Sequence, residues 1–286
     1  VTPFARAAAG SLAAALAVGV CAAAPVDRTA VSPDGVEISY RVEGDGEPAL
    51  VFVHGWACDR SHWDAQVEAL SPRHKVVAID LAGHGRSGKN RKAWTIAAFG
   101  ADIAAVLDKE EIRGAVLIGH SMGGSAIIEA ARLRPGVVLA LVGVDTFHDL
   151  TRPVYGQDDV GAYLRLYRPD YAAFAESVVR SLFRPETDRA LIERVVRGML
   201  RTPVPASLGT LAADMLYSPV AALTALRKPM AAINSEMAPT NLAANRRVVP
   251  SFILKTIKGV DHFLMLEALE EFNRVLEETI LEMLGR

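Results

Sequence analysis

Apolar and polar positions change rhythm along this chain, and the changes predict its layers. Nearly unbroken apolar runs stand at 49–53 (Ala-Leu-Val-Phe-Val), 75–79, 115–118, 137–144, 230–233 and 252–257. Runs this short and this apolar fit strands buried on both faces of a sheet. Residues 36–42 (Val-Glu-Ile-Ser-Tyr-Arg-Val) alternate instead, which predicts a half-exposed strand turned by Gly44-Asp-Gly46. Helical patterns fill 61–70, 96–109 and 123–133. Strands separated by helices of this length predict the α/β class, with a mostly parallel central sheet and helices on both faces. The rhythm breaks at 151–226. No buried-strand run occurs there, and amphipathic patches at 160–167, 171–183, 188–200 and 207–215 are punctuated by Pro153, Pro169, Pro185, Pro203, Pro205 and Pro219. That stretch is expected to be a helical insertion, between core segments 25–150 and 227–286. The chain closes on a long helix over 266–284, and no internal repeat is visible.

Composition adjusts this picture in two places. With 286 residues, 51% of them hydrophobic, the chain can fill the core of one large domain. Lys and Arg number 31 against 33 Asp and Glu, with no long run of one sign, so the electrostatic footprint of a nucleic-acid partner is missing. Residues 1–24 read as a signal peptide: Arg6, an uncharged apolar stretch over 7–20, then small residues at Cys21-Ala-Ala-Ala24. The expectation is an exported protein, periplasmic or secreted. The apolar stretch is short for a membrane span, so no stable membrane insertion is expected after processing. The alternatives for this segment are an uncleaved anchor or an upstream extension. With the signal removed, Cys58 stands alone, unable to form an intramolecular disulfide, and reads as a small buried apolar residue.

The chemistry is concentrated at Gly119-His120-Ser121-Met122-Gly123, which follows the apolar run 116–118 and opens a small-residue helix over 125–131. In a strand–sharp turn–helix context, G-x-S-x-G presents its serine as an exposed nucleophile. The turn strains the serine backbone and leaves no room for β-carbons two residues to either side. The helix that follows aims free N–H groups at an oxyanion formed there. A serine nucleophile needs a base. Of seven histidines, His262 in Gly259-Val-Asp-His-Phe263 lies between the last strand and the last helix, at the sheet edge where the serine sits. His54 follows a strand, His84 lies in the turn 83–87, and His120 is expected to point into the sheet. His62 and His74 are expected on helix surfaces, and His148 lies near the insertion.

His54-Gly55-Trp56, the segment 80–87 (Asp-Leu-Ala-Gly-His-Gly-Arg-Ser), Gly119–Gly123 and Asp261-His262-Phe263 occur in this order. In that order the chain resembles the α/β-hydrolase superfamily over residues 33–284. The resemblance implies an α/β-hydrolase fold with a helical cap over 151–226. It implies Ser121 as nucleophile, His262 as general base, and the backbone N–H groups of Trp56 and Met122 as the oxyanion hole, with His54 bracing that loop. The sequence departs from the family at the acid, which usually follows the seventh strand in a G-x-x-D-like segment. Here residues 233–240 put Ala238 at that place. Asp145 and Glu236 are the substitutes, and Asp145 is preferred because it directly ends a buried strand and so has a fixed position. Asp261 is a poor orienter, since adjacent side chains diverge.

The reaction implied is hydrolysis of a small ester-type substrate through an acyl-enzyme, with no metal, nucleotide, flavin or other cofactor. The cap is expected to set substrate choice through Tyr155, Tyr163, Tyr167 and Phe183, with Phe174, Leu182, Met199 and Met215 nearby. Two alternatives stand beside this. One is other serine chemistry on the same fold: carbon–carbon, lactone or amide hydrolysis, or peracid formation. The other is a non-catalytic, ligand-binding member of the fold.

Overall fold

The computed structural model describes residues 26–167 and 169–285, so the expected signal peptide lies outside the described residues. Among the described residues there are eight strands: β1 (Val26–Val31), β2 (Glu37–Glu43), β3 (Ala49–Val53), β4 (Val76–Ile79), β5 (Ala115–His120), β6 (Val138–Val144), β7 (Met230–Asn234) and β8 (Ile253–Thr256). They form one sheet in the order β1-β2-β4-β3-β5-β6-β7-β8. The β1–β2 and β2–β4 pairs are antiparallel, and every pair from β4 to β8 is parallel.

The helices follow the expected rhythm. A 3-10 turn (Arg60–Trp63) leads into α1 (Asp64–Leu70); α2 (Ile96–Lys109) and α3 (Met122–Leu133) follow. Between β6 and β7 stand α4 (Gln157–Arg165), α5 (Tyr171–Arg180), α6 (Arg189–Met199), α7 (Val204–Met215) and α8 (Val220–Leu226). Then come α9 (Leu242–Val248), α10 (Leu264–Glu267) and α11 (Leu269–Leu284). Local chemistry fixes several starts. Thr95, Asp170, Asp188 and Asn241 each accept a backbone N–H with the side chain at the N-cap of α2, α5, α6 and α9. Pro205 occupies the first turn of α7, where its missing N–H costs nothing. Among the described residues, no helix is long and apolar enough to cross a membrane.

The period-2 geometry of strands explains why the central runs are apolar throughout. Val51 and Val53 of β3 pack on one face with Leu117, Phe99, Ile103 and Ile127, under α2 and α3. Leu50 and Phe52 pack on the other face with Ile118, Val67, Phe272 and Leu276, against α1 and α11. Each strand therefore feeds two cores. The same reason corrects the expectation for residues 36–42. Ile38, Tyr40 and also Ser39 are buried, because β2 is an interior strand between β1 and β4. Neither β1 nor α9 was anticipated from the sequence pattern.

Candidate active site

β5 ends at His120 and α3 begins at Met122, so Ser121 makes the whole turn. Its φ of 51° and ψ of −121° lie in a region that non-glycine residues avoid at a cost of roughly 1–3 kcal/mol. The flanking glycines permit the turn. A β-carbon on Gly119 would stand 2.4 Å from the Gly123 carbonyl oxygen. One on Gly123 would stand 2.6 Å from the carbonyl oxygens of both Val53 and His54. The Ser121 N–H donates to the Val144 carbonyl at 2.9 Å, which locks the elbow to the end of β6.

Asp145 is the first residue after β6. Its N–H donates to the Ile233 carbonyl (3.0 Å), holding it level with the end of β7. One carboxylate oxygen, Oδ2, lies 2.7 Å from His262 Nδ1. The other, Oδ1, accepts from the Ser235 N–H at 2.8 Å and from the Ser235 hydroxyl at 2.9 Å. Burial pushes the Asp145 carboxyl up, but the His262 hydrogen bond, the facing imidazole and the Ser235 donors outweigh it and leave the group below the usual carboxylate range. Glu236, the other acid considered, points elsewhere. Its nearest cation is Lys258 at 3.8 Å, and its side chain is 47% exposed. Ser235 was not singled out from the sequence. Nothing in the local pattern marks a serine that holds an acid from another strand.

His262 sits in the turn between β8 and α10. Its N–H donates to the Leu182 carbonyl at 3.3 Å, which ties it to the helical insertion. Its carbonyl accepts from His120 Nε2 at 2.9 Å, and the two imidazole rings lie 4.6 Å apart. His120 thus does more than face the sheet: it clamps the main chain of His262 to the residue before Ser121. The Ser121 hydroxyl makes no hydrogen bond to the His262 ring itself; such contacts commonly tighten only when substrate is bound. Burial, then the nearby His262, drives His120 well below the ordinary imidazole range, so it stays neutral, with Nδ1 buried and unpartnered.

The loop after β3 lies against this elbow. A β-carbon on Gly55 would meet His120 Nδ1 at 2.9 Å and Ser121 Cβ at 3.1 Å. His54 holds the loop in place, donating from Nδ1 to the Gly55 carbonyl (2.8 Å) and accepting the Leu81 N–H at Nε2 (3.0 Å). Burial pushes the His54 imidazole down to about 4, in keeping with a ring that must accept a proton donor. Neither the Trp56 nor the Met122 N–H has a backbone acceptor. The latter follows from its place as the first residue of α3.

The remaining residues expected at the site divide. Tyr167 is buried in an aromatic cluster with Phe174 (4.4 Å between centroids), Tyr163 (5.7 Å) and Trp56 (6.2 Å). Phe183 stacks on Phe263 at 4.9 Å, beside His262. Tyr155 stands on the surface, 42% exposed, under the Arg152 guanidinium. His62 is buried rather than on a helix surface, because its 3-10 turn is tucked against Phe263. Among the described residues, no group of three or more His, Cys, Asp or Glu side chains could hold a metal ion.

With this geometry in hand, comparison with known proteins is decisive at the level of family. The family model described as the alpha/beta hydrolase family matches residues 50–275. The chain belongs to that family. Sequence similarity to individual members is partial. The chain is 34% identical over 134 residues to the dihydrolipoyllysine-residue acetyltransferase component of the acetoin cleaving system of Cupriavidus necator, covering 46% of this chain and 36% of that protein. It is 40% identical over 118 residues to a non-heme chloroperoxidase of Streptomyces lividans, covering 40% of this chain and 42% of the relative. This family member thus spans less than half the length of either curated relative in the match. Its fold agrees over most of the chain with solved structures. A thermophilic esterase from Thermogutta terrifontis aligns at a TM-score of 0.77 and 23% identity, covering 91% of this chain and 98% of the esterase. An enol-lactonase from Burkholderia xenovorans LB400 aligns at 0.77 and 19%, covering 88% and 99%.

Proposed function

We propose that this protein is a serine hydrolase that cleaves a small carboxylic ester through an acyl-enzyme. Ser121 is the nucleophile, His262 the general base, Asp145 the orienting acid, and the N–H groups of Trp56 and Met122 the oxyanion donors. The observation that carries the reading is the 2.7 Å pairing of His262 Nδ1 with Asp145, clamped through His120 to a serine held in a strained turn.

In this mechanism Asp145 accepts a hydrogen bond from the Nδ1–H of His262, which keeps the proton on Nδ1 and leaves Nε2 unprotonated and able to take the Ser121 hydroxyl proton. The serine oxygen attacks the ester carbonyl, and the tetrahedral oxyanion forms against the two backbone N–H groups. Each such donor is worth about 3 kcal/mol in related cases. His262 returns the proton to the departing alkoxide, and water then cleaves the acyl-serine by the same route. The helices between β6 and β7 act as a cap, with Tyr163, Tyr167 and Phe183 shaping the space over the serine. The test is a panel of p-nitrophenyl esters, with labelling by a fluorophosphonate and a Ser121→Ala control. Turnover and labelling, both lost in Ser121→Ala, are expected. Absence of labelling in the intact protein would favour a ligand-binding role instead.

The similarity to a non-heme chloroperoxidase favours one variation on this chemistry. Hydrogen peroxide in place of water would take the acyl group from Ser121 as a peracid, regenerating the free hydroxyl. Adding peroxide to the ester assay and following peracid directly tests it.

A further inference from the structure

A cavity of about 380 Å³ is lined by residues that follow Ser121 and Asp145 in the chain, though by neither of those two, nor by His262, nor by any of the four aromatic residues expected to meet substrate. One wall is Thr146 and Phe147, the two residues after Asp145. Another is Ser125, one helical turn beyond Ser121 on α3, about 6 Å along the axis. The end of α7, with Asp214 and Met215, also lines it. The volume lies in the range of small-molecule sites. Val154, at its edge, is 44% exposed.

The cavity holds one polar group that the fold does not use up. Asp214 Oδ1 accepts the Ser125 hydroxyl at 2.8 Å. Oδ2 has no hydrogen-bond partner among the described residues, and Asp214 is part of the cavity lining. Asp149, the other carboxylate on the wall, is already engaged by Thr151 and Asn241. Among the described residues Asp214 has no cation within ion-pair distance; the one arginine on the wall, Arg152, lies over Tyr155 and acts on Asp214 only through its field. The surroundings of Asp214 shield it from water, and this desolvation pushes its carboxyl above the usual range, disfavouring the charged form. A recessed carboxyl of this kind answers best to a neutral hydrogen-bonding group. A cation would meet Arg152, and an anion would meet Asp149 and Asp214.

We propose that this cavity is the substrate's side pocket, and that the Ser125–Asp214 pair selects esters carrying a hydroxyl group near the scissile bond. The inference rests on the ester-hydrolase reading and adds to it a class of substrate and two residues that determine specificity. The hydroxyl engages Asp214 Oδ2, while the apolar walls of Phe147, Leu150 and Met215 cover the carbon chain.

The experiment compares kcat/KM for matched pairs. Ethyl butyrate against ethyl 3-hydroxybutyrate places the hydroxyl on the acyl side; butyl butyrate against 3-hydroxybutyl butyrate places it on the alcohol side. A preference for the hydroxylated member of about tenfold in one pair is expected, the worth of one good hydrogen bond to a recessed carboxyl. In Asp214→Leu that ratio should fall to near one. A purely structural tie between α3 and α7 would lower both members equally and leave the ratio intact, which would overturn the proposal. A measurement on the wild-type protein needs no variant: 3-hydroxybutanamide should inhibit p-nitrophenyl acetate hydrolysis several-fold more tightly than butanamide. Equal inhibition, with no preference in either ester pair, would also overturn it. If the protein turns over no ester at all and takes no phosphonate label, the ester-hydrolase reading itself fails. Turnover without hydroxyl preference removes only the side pocket.

Discussion

Replacing Asp145 with asparagine tests the proposed triad at the point where the sequence was most ambiguous. The change keeps the shape of the side chain, and the surroundings dictate how the amide must sit. Two donors, the Ser235 N–H and hydroxyl, converge on the Oδ1 position at 2.8 and 2.9 Å. The amide oxygen must therefore take that place, and its NH₂ group turns toward His262. An N–H facing an N–H is repulsive, so His262 must shift its proton from Nδ1 to Nε2 and accept the amide at Nδ1. The nitrogen that should receive the Ser121 proton is then already protonated. In a well-studied triad the corresponding change lowers kcat by about 10⁴, or about 5 kcal/mol of barrier. The expected outcome here is a kcat loss of about 10³–10⁴ on a p-nitrophenyl ester, with KM nearly unchanged and normal thermal unfolding. Glu236→Gln serves as the control and should change kcat less than about twofold, since Glu236 lies near Lys258 and is half exposed. A large loss in Glu236→Gln with little in Asp145→Asn would refute the reasoning.

Three further outcomes follow from the same geometry. Ser235→Ala removes one of the donors on Asp145 while the backbone N–H remains, so kcat should fall about 5- to 20-fold, roughly 1–2 kcal/mol; wild-type kcat in this variant would remove Ser235 from the orienting set. Gly123→Ala drives a β-carbon to 2.6 Å from two backbone oxygens, which cannot move as a side chain can; a cost of about 3 kcal/mol or more, seen as a Tm lower by roughly 6–10 °C in calorimetry, is expected, and a Tm within about 2 °C of wild type would contradict the close approach of β3 to the elbow. His54 is held near 4 when folded against an ordinary 6.5. As pH falls the unfolded chain takes up the proton first, so its contribution is fully present above 6.5 and is lost through the window from 6.5 down to 4. The loss is roughly 2 kcal/mol between pH 7 and pH 5. Urea unfolding at the two pH values should show a flatter dependence in His54→Asn, and an identical slope would exclude His54 as a source of it.

The parts of the fold that could be read from sequence are those where one strand serves two cores. β3, β4, β5 and β6 appear as unbroken apolar runs because both faces are covered, and the glycines of the elbow are spelled out because neighbouring backbone leaves no room for a β-carbon. β1 escaped for the opposite reason. Its Asp27, Arg28 and Thr29 are exposed at the sheet edge, so no hydrophobic period marks it. α9 carries Asn245, Arg246 and Arg247 in a single short run and looks like a loop, although Asn245 is buried and bonds the Phe147 carbonyl and the Leu150 N–H. His62 read as a surface residue because a helical pattern was extended back through what is a 3-10 turn. In each case the missing information was which distant element covers the residue, and local periodicity does not contain it.

The choice between two acids has the same origin, and the sheet explains why both were plausible. β6 and β7 are parallel neighbours, with Val144 opposite Ile233, so the residues that follow the two strands emerge side by side at one edge. An acid after either strand begins from nearly the same place. What distinguishes them is the direction of the chain beyond the edge. After β6, Asp145 itself adopts a left-handed backbone (φ 45°), anchors its N–H on Ile233 and turns its carboxylate to His262. After β7, Ser235 turns back toward Asp145 while Glu236 runs out toward Lys258. The segment where family resemblance leads one to expect the acid supplies two hydrogen-bond donors that hold it. In the proposed triad the acid and its support are therefore divided between two adjacent strand ends. A pair divided in this way should respond as a unit. Asp145→Asn combined with Ser235→Ala should cost little more in kcat than Asp145→Asn alone, because the hydroxyl has no carboxylate left to orient. Full additivity of the two losses would show that Ser235 acts on the reaction by some route other than Asp145.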